Sequence, residues 1–188
     1  MATVEEQAAQ GIVNGAAPSA TDIPVENPAT GEIIAHVPDL DADAIAAMAV
    51  KARAAQPGWD AMGFEGRGRV LLRMQKWLTD NSERVIRTVM SETGKTYEDA
   101  QLADWSYGIG AFGFWAKNAP EYLADESVKS AQVMLKGKKL ILRYKALGLV
   151  GVIGPWNYPL TNSFGDAIPA LAAGNAVILK PSEVTPLT

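Results

Sequence analysis

Residues 149–153, Leu-Val-Gly-Val-Ile, and residues 176–179, Ala-Val-Ile-Leu, are two short apolar runs of the kind buried in a parallel sheet. Between them Leu160, Phe164, Ile168 and Leu171 recur every three or four residues, the spacing of one helical face, and Gly174 closes the pattern. Strand, helix and strand within roughly 30 residues make a βαβ unit, whose crossover is expected to be parallel and right-handed. Parallel strands leave a sheet in the same direction, so their exit loops share one edge. One loop carries Gly154, Pro155, Trp156, Asn157, Tyr158 and Pro159; the other carries Lys180, Pro181, Ser182 and Glu183. Open α/β sheets bind ligands at that edge, and backbone N–H groups at 158–160, where the helix opens, suit an anionic or oxyanionic group. The residues alone fit either a polar-ligand site or simple loop packing.

The rest of the chain reads as a helical body. Residues 1–24 have little hydrophobic pattern and are expected to form a loose tail. Residues 25–34 suggest two short strands about a Pro/Gly turn. Asp41 or Asp43 can cap a helix that Pro57-Gly58 is expected to stop near Gln56. A second helix is expected over 66–79, with Val70, Leu71, Met74, Trp77 and Leu78 as its apolar stripe, and a third over 83–93, ended by Gly94 in a left-handed conformation. A fourth, over 97–119, carries Trp105, Tyr107, Phe112, Phe114 and Trp115, aromatics at the spacing of a packing face. Residues 131–135 and 138–145 are β-like runs about Lys136-Gly137, so a hairpin is expected. It serves either as an ordinary edge or as an arm that pairs with another chain. Thr185-Pro186 reads as an N-cap and first-turn proline opening one more helix.

Composition removes whole classes of chemistry. None of the 188 residues is cysteine, so this chain offers no disulfide, thiolate metal site or Cys nucleophile. The single histidine, His36, lies in an alternating stretch and reads as a strand side chain. A net charge of −4 argues against nucleic acid or an anionic membrane as partner. The uncharged run 146–165 reaches the length of a spanning helix, but Pro155, Asn157 and Pro159 break it. The amino terminus lacks the basic and apolar regions of a signal peptide, and a cytoplasmic location is expected.

The segment Gly154-Pro155-Trp156-Asn157-Tyr158-Pro159-Leu160, followed by residues 169–183 (Pro-Ala-Leu-Ala-Ala-Gly-Asn-Ala-Val-Ile-Leu-Lys-Pro-Ser-Glu), strongly resembles the NAD(P)-dependent aldehyde dehydrogenase superfamily. Residues 27–32, 92–95 and 147–153 support the likeness, which extends over 25–188. It implies an α/β fold with amino-terminal helices, a β-hairpin arm and the start of a Rossmann-like parallel sheet, an incomplete aldehyde dehydrogenase fold. The implied divisions are a flexible tail (1–24), the helical part of a cofactor-binding domain (25–130), an oligomerisation hairpin (131–145) and the first βαβ unit of the NAD-binding sheet (146–188). The catalytic domain, with the Cys nucleophile and the general base, is implied to lie downstream.

The resemblance assigns Asn157 as the donor to the developing oxyanion. It sets the backbone of Ile153, Gly154 and Pro155 along the cofactor, Trp156 beside them lining the cofactor or substrate channel, and Lys180 and Glu183 around the adenosine ribose, where Lys180 and Ser182 could also stabilise a phosphate. A ribose-binding carboxylate at Glu183 favours NAD, with NADP possible. The implied reaction is oxidation of a small-molecule aldehyde to a carboxylic acid, by a homodimer or homotetramer of the complete protein; the alternative is a truncated cofactor-binding or assembly module without activity of its own. One departure stands out: Asp166 occupies a position where many family members carry lysine, which puts a lysine-dependent proton relay in doubt.

Overall fold

The computed structural model describes residues 22–135 and 137–188. Of the expected tail, residues 1–21 lie outside this range, whereas Ile23 and Pro24 already belong to strand β1 (Ile23–Asn27). β1 pairs antiparallel with β2 (Glu32–Val37), and His36 sits in β2 opposite Pro24. The Pro/Gly turn between them is closed by the Asn27 carbonyl, which accepts the Gly31 N–H at 2.8 Å.

Helix α1 (Ala42–Ala61) starts at Asp41, whose carboxylate accepts the Ala44 N–H at 2.8 Å. The expected stop at Pro57 does not occur, and α1 runs through it. A proline inside a helix forfeits one backbone hydrogen bond, at a cost of about 3 kcal/mol. Here the neighbouring side chains tie the final turns down: Gln56 Nε2 donates to the Gly174 carbonyl and Trp59 Nε1 to that of Leu171, each at 2.9 Å.

Helices α2 (Gly63–Asp80) and α3 (Ser82–Thr93) follow, and α3 ends at Gly94 with φ 73°. A turn of helix, α4 (Tyr97–Asp99), a π-helical segment (Ala100–Trp105) and helix α5 (Ser106–Tyr122) then run on without a break in helical backbone. The expected single helix over 97–119 therefore contains a π segment and extends past Pro120. The core forms where α2, α5 and a later helix, α6 (Pro159–Ala172), meet through Leu71, Leu78, Phe112, Ala119, Leu160 and Ile168. Phe112 is fully buried and Trp105 Nε1 donates to the Leu78 carbonyl at 2.9 Å, so these two aromatics are packing residues. Tyr107, Phe114 and, in the apolar stripe of α2, Trp77 are exposed, so neither expected packing face is buried throughout.

The hairpin differs from expectation in its first strand. β4 (Leu140–Leu142) pairs antiparallel with β3 (Glu126–Val128), while Val133–Leu135 forms a 3-10 turn. The reason is polar register. Arg143 reaches Asp125 at 2.6 Å and the Tyr144 hydroxyl reaches Glu126 at 2.5 Å, two cross-strand locks that residues 131–135 have no acidic side chain to match. Lys136, half of the expected turn, lies outside the described residues.

β5 (Leu149–Ile153) and β6 (Ala176–Lys180) are parallel, with α6 between them in sequence, as the apolar runs require. Gly174 turns the chain from α6 into β6 at φ 96°, and a Cβ there would lie 2.4 Å from an Asp60 carboxylate oxygen. After Thr185 only three residues follow, fewer than one helical turn; the Thr185 hydroxyl donates to the Trp156 carbonyl, and the Leu187 N–H is taken by Glu92. No helix among the described residues is long and apolar enough to cross a membrane.

Candidate functional site

Register brings the two strand-exit loops together. Ile153 stands opposite Lys180, and the Gly154 N–H donates to the Lys180 carbonyl at 2.9 Å, extending the ladder by one step. Beyond it the Thr185 hydroxyl bonds the Trp156 carbonyl at 3.3 Å and ties one loop to the other. Gly154 is required by close approach: a Cβ there would lie 2.0 Å from Ser163 Oγ on α6. The turn can therefore lie directly on the helix it leads into.

Asn157 is exposed in this turn, and its amide has no hydrogen-bond partner among the described residues. Pro155 and Pro159 flank it and restrict the backbone on both sides. An exposed amide left without a partner has its N–H groups free to serve a reacting oxygen. Trp156 and Ile153 are 61% and 80% exposed, apolar surface on the same edge.

On the second loop Lys180 Nζ and a Glu183 carboxylate oxygen lie 3.0 Å apart, both largely in solvent. The Glu183 carboxyl is held below its ordinary value, first by its own backbone N–H and then by Lys180. A carboxylate beside an ammonium at the edge of a parallel sheet suits a diol, which can donate to the one and accept from the other. Ser182 differs from its neighbours: it is buried, and its hydroxyl accepts the Val184 N–H at 3.2 Å. Asp166 is exposed on α6.

The expected site residues lie on the two loops and on the strand ends, Ile153 and Lys180, that lead into them; beneath them lies a layer that the sequence did not announce. Asp104, in the π segment, is fully buried and receives Lys95 Nζ at 2.6 Å. Its other oxygen accepts the Thr161 N–H, in the first turn of α6, at 3.1 Å. Lys95 also lies 3.9 Å from the centroid of the Tyr158 ring. Glu92 is buried and accepts the Leu187 N–H at 2.7 Å and the Thr188 hydroxyl. Burial pushes the Glu92 carboxyl above its ordinary value; the bonds from Thr188 and Leu187 and the nearby Asp104 carboxylate are smaller influences. One signal could have found Asp104. It is the last charged residue before a twelve-residue uncharged stretch ending at Lys117, with no basic residue one helical turn away.

A family model described as aldehyde dehydrogenase family matches residues 15–188. A protein of Mycolicibacterium smegmatis with the provisional name succinate-semialdehyde dehydrogenase (NADP+) is 37% identical over 164 residues, 87% of this chain and 31% of the relative. The crystal structure of aldehyde dehydrogenase 21 from Physcomitrella patens, in complex with the reaction product succinate, superposes with a TM-score of 0.83 at 29% identity, covering 95% of this chain and 36% of that one. A NAD-dependent benzaldehyde dehydrogenase from Corynebacterium glutamicum gives a TM-score of 0.80 at 29% identity, covering 90% and 36%. The chain thus spans about a third of the length of these relatives and has the fold of part of the two solved structures.

Proposed function

The chain belongs to the aldehyde dehydrogenase family, and from that premise we propose that it supplies part of the cofactor site and the oxyanion donor of an enzyme that oxidises an aldehyde to a carboxylic acid with NAD, or with NADP. The bound nicotinamide supplies the hydride acceptor. The nucleophilic thiolate is not among these residues, since the chain contains no cysteine, and we assign it to the rest of a family-length polypeptide. Attack on the aldehyde carbon places negative charge on its oxygen, and Asn157 donates its side-chain N–H there. A donor fixed before the charge appears needs no reorganisation when it does.

The cofactor's ribose fits the second loop. Glu183 accepts from its hydroxyls, Lys180 donates to them and holds the carboxylate in place, and Ile153 to Trp156 line the approach; Ser182 acts from inside the loop by fixing Val184. The ionised Glu183 repels a ribose phosphate, whereas Lys180 beside it softens the repulsion, so NAD is preferred and NADP admitted. Small aldehydes are the substrate class, and succinic semialdehyde and benzaldehyde head the panel to test because relatives carry those names. The hairpin β3–β4 is proposed as a surface of subunit association, and the enzyme as a homodimer or homotetramer.

The observation that carries this reading is the exposed, unpartnered Asn157 amide on the edge shared with Lys180 and Glu183. In the full-length polypeptide Asn157→Ala should lower turnover by about 10²–10³, the usual cost of one oxyanion donor. NAD affinity and melting temperature should stay near native. A stable variant with native turnover sinks the oxyanion role, and a collapsed melting temperature assigns Asn157 to the turn's structure.

A further inference from the structure

We propose that Glu92, Lys95 and Asp104, with both carboxylates buried and the lysine partly so, form a positioning base for the site: Asp104 with Lys95 sets the Asn157 turn, and Glu92 sets the Lys180–Glu183 loop. The proposal rests on the reading above and adds three residues from outside both loops.

The cluster meets each loop through backbone. Asp104 accepts the Thr161 N–H at 3.1 Å, four residues past Asn157, and so caps α6 from a different helix. The Thr161 hydroxyl donates to the Ala103 carbonyl, a second tie from the same residue to the π segment. Lys95 bonds Asp104 at 2.6 Å and lies against the face of Tyr158, the residue after Asn157. Asn157 is thereby held from its carboxyl side by the cluster and from its amino side by Pro155. Glu92 does the equivalent work on the second loop by accepting the Leu187 N–H at 2.7 Å, four residues past Glu183. Both carboxylates come from the stretch 92–104, so a single local unit fixes the spacing between the amide that serves the reacting oxygen and the carboxylate that serves the ribose. A π segment carries a side chain to a place that regular α-helix would not, and such segments recur at functional sites.

The test is a dissociation of two effects in the full-length polypeptide. Turnover with succinic semialdehyde, the dissociation constant for NAD by fluorescence titration, and melting temperature are measured on each variant. Asp104→Ala should lower kcat by about 30- to 100-fold, the scale of misplacing a catalytic group by an ångström, with the NAD constant within about threefold of native. Asp104→Asn keeps an acceptor for Thr161 and should recover about tenfold of that loss. Glu92→Ala should raise the NAD constant about fivefold or more and leave kcat at saturating NAD within about threefold. Because Asp104 acts through Asn157, the double variant Asp104→Ala/Asn157→Ala should be no more than about threefold slower than Asn157→Ala alone. Additive losses overturn the proposal, as does a fall in melting temperature with native kcat and native NAD binding in the folded protein. Should Asp104→Ala not fold, Asp104→Asn and Lys95→Met carry the same test, and a kcat loss without loss of NAD binding is still required. If Asn157→Ala itself has native turnover, the oxyanion reading fails and takes the Asp104 arm with it; if Asn157→Ala is slow but Asp104→Ala is not, only the positioning role falls.

Discussion

For Glu183 and Lys180 the residues alone left a ligand site and loop packing both open, and their expected role came from the family resemblance of the segment 180–183. The structure pairs them at 3.0 Å, and under the proposed role the lysine would moderate the repulsion of a ribose phosphate by the carboxylate. Glu183→Gln should therefore weaken NAD more than NADP, and the ratio of the two Michaelis constants in the full-length polypeptide measures it; equal effects on both remove Glu183 from cofactor choice. Glu92 was legible only as part of a helix end, because nothing in the sequence near it announces a partner 95 residues away. Its carboxyl titrates above its ordinary value in the folded protein, so the native state holds this proton more tightly than the unfolded chain does. The stability this confers is complete below the unfolded value and is lost as pH rises through the raised folded value. Glu92→Gln removes that dependence. Its melting temperature should gain on the native protein's as pH is raised from 4 and should level off once Glu92 is ionised; a constant difference across the range contradicts the shift.

At the scale of elements, the βαβ unit was readable because 149–153 and 176–179 are uninterrupted apolar runs and the helix between them has one clear stripe. Helix ends were less so: α1 passes Pro57 because Gln56 and Trp59 find carbonyls in another part of the chain, 118 and 112 residues away. The hairpin was misjudged for the same kind of reason. β propensity favoured 131–135, but the pairs Arg143–Asp125 and Tyr144–Glu126 select 126–128. In β4 Ile141 and Leu142 are both close to half exposed, although they are apolar. Lys substitutions at Leu140 and Leu142 together should shift the full-length polypeptide to smaller species on size-exclusion chromatography, since opposed like charges resist strand or face association. An unchanged oligomer places the association surface elsewhere.

For the whole molecule, the chain contains no cysteine and spans about a third of the length of its relatives, so the proposed reaction needs a nucleophile from outside these residues. The purified 188-residue chain should produce no NADH from any aldehyde in the panel; steady production above a protein-free control would require a different nucleophile. The ties that close the site are long in sequence: Asp104 waits 57 residues for Thr161, and Glu92 waits 95 for Leu187. A ribosome adding about 5–20 residues per second needs about 5–20 s to deliver that last partner. The helices can pack as they emerge, while the Glu92 carboxylate stands open behind them until the second loop arrives. The site is thus assembled in birth order, helical body first and the Lys180–Glu183 loop after it, and during synthesis Glu92 is the door left ajar.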